Sequence, residues 1–258
     1  IAGGTVQRAR IGAGGVAAAM VVLQHAFEAA HSGGAAIYDP LLASINLGRF
    51  GVILFFLISG FVVPFSFSGE RPLRKFAISR LFRLYPAYWV SLAAFAVLAA
   101  VHGRPLAGEV LWANMTMLQG LLGVRNVGDV YWTLLYEMIF YALCAALWAM
   151  RLMRSVALVG TMAALLLGCA ALQGITGADS EVVIVPFYFG QFMLGMMFRM
   201  AYVDRDPAAV RWLACLAVLA VLAGAVMGGG FFPVFENRIP FLRAPALVAA
   251  MCLPMAVF

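Results

Sequence analysis

The feature that most constrains this chain is an apolar run of about twenty residues that recurs along its length. Such runs lie near residues 11–29, 49–68, 84–102, 130–150, 155–173, 183–200, 210–228 and 242–258. At 1.5 Å of rise per residue, a helix of about 20 residues covers roughly 30 Å, the thickness of a bilayer's hydrocarbon core. Inside that core each backbone N–H and C=O must bond within its own segment, so a run of this length is a helix. Of the 258 residues, 65% are hydrophobic and 11% charged. A soluble domain is about half apolar and a quarter charged, and has no interior that could hide the difference. The chain is therefore expected to be all-α, a polytopic transmembrane helix bundle forming a single domain over residues 1–258, with eight spans present. It ends at Phe258 inside the last run, and the expectation is that this domain is incomplete at its C-terminus.

The stretch 105–123 is apolar but carries Glu109, Asn114 and Gln119, which predicts an interfacial or re-entrant segment rather than a span. The net charge of +6 resides in segments between apolar runs, where it reports topology rather than nucleic acid. With the N-terminus in the cytoplasm, the inner segments carry 12 basic residues, Arg71 to Arg83 the densest group, and the outer ones carry 5. That asymmetry follows the positive-inside rule, and the reverse orientation inverts it. The four cysteines, Cys144, Cys169, Cys215 and Cys252, lie inside apolar runs with no zinc spacing, so they read as small buried hydrophobes and no metal is expected.

Ionisable groups in lipid are costly and mark functional positions. Two stand out, His25 in the first span and Glu137 in the fourth. Counting rise along each helix places His25 about 21 Å up from the inner face and Glu137 about 11 Å below the outer one. Both then fall in the outer half of the core, at depths that allow them to meet across the bundle interior. A histidine near a helix end can also face the interface alone. A carboxylate at this depth needs a partner. Tyr88, Trp89, Tyr131 and Trp132 lie near span ends, where belt aromatics are common.

Four segments carry a more specific signal: VVLQHAF (21–27), GRFGVILFFLISGFVV (48–63), FAISRLFRLYPAYW (76–89) and YWTLLYEMIFY (131–141). In this order and spacing they resemble the acyltransferase 3 family of integral membrane O-acyltransferases, and FYFGQFMLGMMF (187–198) is similar to a later family segment. The resemblance implies a bacterial inner-membrane bundle of about ten helices. It implies transfer of an acyl group, usually acetyl from acetyl-CoA or another acyl-CoA, to a hydroxyl of a cell-envelope or exported carbohydrate. The partners expected are the lipid bilayer, the acyl-CoA and the carbohydrate, without nucleic acid. One departure matters: where the family has an arginine eleven residues before the first-span histidine, this chain has Gly14, and Arg10 one turn lower is the candidate replacement.

Acyl transfer to a hydroxyl needs a base, an oxyanion partner and a grip on the donor's phosphates. His25 is the candidate general base, because an imidazole takes and returns a proton near neutral pH. Glu137 is read either as the carboxylate that orients it or as a sugar contact. Arg80 and Arg83, with Arg10, are the candidate donor contacts, since guanidinium suits phosphate; the alternative is that they only anchor the inner face. Arg49, Trp132 and Tyr141 are the candidate acceptor contacts, with Arg49 otherwise a snorkelling interfacial residue. The competing function is a proton-coupled transporter or flippase in which His25 and Glu137 relay protons.

Overall fold

The computed structural model describes residues 15–26, 47–176 and 180–227. Arg10, Gly14 and the expected span at 242–258 lie outside the described residues. Among the described residues the regular structure is wholly helical. Its elements are α1 (Gly15–Ala26), α2 (Leu47–Val62), α3 (Pro72–Val101), α4 (Gly108–Met115), α5 (Trp132–Ala149), α6 (Val156–Thr176), α7 (Ser180–Tyr202) and α8 (Pro207–Met227). α2 with the turn that follows it, α3, α5, α6 and α8 are each long and apolar enough to cross a membrane. α7 covers the span expected at 183–200.

Local chemistry explains the helix starts. α3 and α8 both open with proline, whose ring presets the helical φ and whose missing N–H has no partner to lose at a first turn. At α8 the Asp206 carboxylate accepts the Ala208 and Ala209 amides at 2.8 and 3.3 Å. At α6 the Ser155 hydroxyl accepts the Leu158 amide. The start of α3 corrects the sequence expectation: the helix begins at Pro72, twelve residues before the apolar run at 84. Arginine, lysine and leucine are good helix formers, so the helix continues through a basic stretch that apolarity alone does not detect.

The chain divides into two compact units, one formed by residues 1–64 and 151–258 and the other by Phe65–Met150. In the first, α7 is the centre and packs against α2, α6 and α8. Residues 190–201 of α7 are all buried. The α2–α7 crossing is held by Gly60 and Gly195, whose Cα atoms approach so closely that a Cβ on Gly60 would strike the Phe192 carbonyl oxygen and one on Gly195 the Leu57 carbonyl oxygen. In lipid, where apolar burial drives helices together weakly, such close backbone contact is a main source of association. Phe56 of α2 adds ring contacts to Tyr188 and Phe192 of α7 at 5.3 and 4.4 Å. α1 meets α2 at a third glycine, Gly51, which lies against Ala17 and Val21.

In the second unit α3 and α5 are joined through the short α4 and its loop. Eight residues make α4 about 12 Å long, too short to cross the core. The carbonyls that end a helix lack intrahelical partners. Here α3 supplies them: Tyr88 donates to the Asn114 oxygen at 2.6 Å, Trp89 to Met115 at 3.0 Å and Tyr85 to Thr116 at 2.8 Å. The aromatics that the sequence suggests as belt residues therefore also cap α4. Asn114, fully buried, donates to the Val110 and Arg125 carbonyls and accepts the Val127 amide, closing the loop on itself. Tyr131 seals this side against Tyr88 and Phe95, with its hydroxyl 2.8 Å from that of Ser91.

Candidate active site

The strongest concentration of polar chemistry lies inside the second unit. On α5, Glu137 and Tyr141 are one turn apart, hence on one face. The Tyr141 hydroxyl donates to Glu137 Oε1. Glu137 is 1% exposed, and its Oε2 has no hydrogen-bond partner among the described residues. Facing them from α3 is Arg80, only 7% exposed although it is an arginine in a membrane-crossing helix. Its guanidinium donates to the Ser66 hydroxyl and lies between two rings, 5.3 Å from the centre of Phe76 and 5.1 Å from that of Tyr141. Its Nε has no hydrogen-bond partner among the described residues.

An aromatic wall completes the cluster. Phe67 stacks on Phe76 at 4.3 Å and faces Trp148 at 6.0 Å, and Phe76 meets Tyr141 edge-on at 5.6 Å. A cation between ring faces, out of water, gains more than an exposed one. The charges of Arg80 and of the exposed Arg83 both act on Glu137. Arg80→Met, which removes the hydrogen bond to Ser66 and the two ring contacts of a buried guanidinium, should lower stability by about 1–3 kcal/mol. Thermal unfolding in detergent measures it.

The arrangement corrects the sequence reading in one respect. There, the arginines sit at the inner mouth of a span starting at 84, far from Glu137. The structure places Arg80 eight residues inside α3 and against Tyr141, in the same cluster as Glu137. Arg83, one turn minus a residue further on, remains exposed and available to a ligand. Ser66, Phe76, Phe67 and Trp148 were not singled out from the sequence. The spacing Phe76–Arg80 and Glu137–Tyr141, four residues each, is the signal that would have paired them.

The other candidates lie elsewhere. His25 belongs to the first unit, near the end of α1, and is exposed, while its neighbour Gln24 is buried. Arg49 is half-buried near the start of α2. His25 lies one turn beyond Val21, and Arg49 two residues before Gly51, so both flank the α1–α2 crossing. Trp132, at the start of α5, is half-buried with its ring edge-on to Tyr136 at 5.3 Å. Cys144 is buried beside the cluster, one turn below Tyr141. Among the described residues no group of His, Cys, Asp and Glu could hold a metal ion.

Comparison with known proteins agrees with the chemistry of these segments. Nodulation protein 10 of Rhizobium leguminosarum bv. viciae is 29% identical over 177 residues, covering 58% of this chain and 47% of that protein. Acyltransferase MdmB of Streptomyces mycarofaciens is 28% identical over 227 residues, covering 84% of this chain and 54% of that protein. The chain thus spans about half the length of these curated relatives. No solved structure matches it. The family profile described as an acyltransferase domain, that of acyltransferase 3, matches residues 14–258, nearly the whole sequence. With its apolar helices and these motifs, the chain belongs to the acyltransferase 3 family of multi-pass membrane proteins.

Proposed function

We propose that this chain is the membrane domain of an O-acyltransferase that moves an acyl group, acetyl in the simplest case, from acyl-CoA to a hydroxyl of a cell-envelope or exported carbohydrate. Its place is the bacterial inner membrane, with the N-terminus in the cytoplasm. The observation that carries the reading is a buried polar cluster, Glu137–Tyr141–Arg80, within helices of an acyltransferase-family chain. Lipid tolerates such groups where function requires them.

In this reading His25 takes the proton of the acceptor hydroxyl as its oxygen attacks the thioester carbonyl. The tetrahedral oxyanion gains from a nearby cation, and Arg49, across the α1–α2 crossing from His25, is the candidate. Collapse breaks the C–S bond, and the leaving thiolate recovers the proton from the imidazolium. The exposed Arg83 is the candidate contact for the donor's phosphates, which planar guanidinium groups hold well, and Arg10, the other candidate from the sequence, lies outside the described residues. Arg80 has its guanidinium committed to Ser66, Phe76 and Tyr141, so its contribution to the donor is the positive field it adds rather than a free fork. Glu137 and Tyr141 present a carboxylate oxygen and an aromatic face to the acceptor, beside Trp132.

The test is direct. Full-length protein in nanodiscs, given acyl-labelled acetyl-CoA and cell-envelope glycan, should release CoA and transfer label to base-labile esters on the glycan. Proton flux across vesicles without CoA release would replace this reading with that of a proton-coupled transporter.

A further inference from the structure

Gln191 is a buried polar side chain that none of these roles uses. It lies on α7 between two tight crossings: Gly190 fits against Leu167 of α6, and the Phe192 carbonyl against Gly60 of α2. Gln191 is 0% exposed. Its Nε2 and its Oε1 both lack a hydrogen-bond partner among the described residues. Buried amides are paired in folded proteins almost without exception, because an unmet donor or acceptor forfeits its hydration with nothing in return. A side chain with both halves unmet is arranged for a partner that arrives from outside the chain.

The chemistry of that partner follows from the surroundings. An amide that offers one donor and one acceptor side by side matches a secondary amide, whose C=O takes the Nε2 hydrogen while its N–H donates to Oε1. On the face of α7 that carries Gln191 lie Phe187, Tyr188, Leu194, Gly195 and Phe198, with the Tyr188 hydroxyl the one other side-chain polar group among them. A carbohydrate, with a hydroxyl on most carbons, would leave several of them unmet against such a wall. An alkyl chain interrupted by amides would not.

We infer that Gln191 is a binding contact for an amide of the pantetheine arm of the acyl donor. This rests on the acyl-CoA reading above, and the test separates the two. Acetyl-CoA, CoA and adenosine 3′,5′-bisphosphate, which has the nucleotide phosphates but no pantetheine, are titrated into full-length wild type, Gln191→Leu and Gln191→Met in nanodiscs. The variants should bind CoA and acetyl-CoA about tenfold or more weakly, for the loss of two hydrogen bonds. Their affinity for the bisphosphate should be unchanged. The unliganded variants should unfold at the wild-type temperature or above it, since an unmet buried amide is gone.

Unchanged CoA affinity in both variants overturns the assignment, as does an equal loss for CoA and the bisphosphate. So does lower unliganded stability in both, which would mean that the amide is paired within the fold. Normal CoA binding with a raised KM for the carbohydrate would overturn it too, moving the contact to the acceptor. Wild type that binds neither acetyl-CoA nor CoA would instead overturn the donor reading itself, and this inference with it.

Discussion

His25→Ala should cut acyl transfer by roughly 10²–10⁴-fold, the usual contribution of a positioned acid–base group. Folded yield and thermal stability should stay close to wild type, because the side chain is exposed and its loss opens no cavity in the α1–α2 contact. The comparison that matters is with stability measured on the same preparation. CoA binding should survive, since the imidazole acts on the acceptor's proton and not on the donor's phosphates. Transfer within a few-fold of wild type would remove His25 from the mechanism. Transfer lost together with folding would make it a structural residue.

Valine at Gly60, or at Gly195, should prevent a stable α2–α7 contact, at a cost on the order of 3 kcal/mol or more. The atoms that a Cβ would meet are backbone: the Phe192 carbonyl for Gly60 and the Leu57 carbonyl for Gly195. Side chains rotate away from a clash, but a helix backbone moves only as a whole. The axes must therefore separate, and the contacts of Phe56 with Tyr188 and Phe192 go with them. Even alanine should be poorly tolerated. Gly168→Ala is the matched control, because nothing lies within 4 Å of a Cβ there and alanine is the better helix former. Fluorescence-detected size exclusion after heating reads all of these. A normal melting profile for Gly60→Val would mean that the crossing is not as close as described.

These two predictions concern residues of three family-like segments, His25 in 21–27, Gly60 in 48–63 and Gly195 in 187–198, and they show what motif reading does and does not separate. Ser59-Gly60-Phe61 and the Gly195 segment stand out in the sequence as pieces of a family pattern. In three dimensions they are the two sides of one helix crossing, a packing device more than a reaction centre. Ser59 is buried beside that glycine. Glu137 was legible as a candidate because a carboxylate in an apolar run is conspicuous. Its companions were not: Phe67, Phe76 and Trp148 look like ordinary apolar residues until the helices are placed. Gln191, one polar residue in a long apolar stretch, was equally legible by that criterion and was passed over because an amide is less costly in lipid than a charge.

The linear order of residues was sufficient to specify an all-helical membrane protein, because the length of an apolar run and the need to pair every backbone group in lipid leave little choice. It also carried the non-spanning character of 105–123, whose polar residues interrupt the run. What it left open was which polar atoms find partners. A helix distributes side chains around its axis by a known angle, but its rotation and its neighbours are set by packing across tens of residues. Arg80 meeting Tyr141, and the Gln191 amide finding no hydrogen-bond partner among the described residues, are products of that packing, and the chemistry assigned to each follows from it.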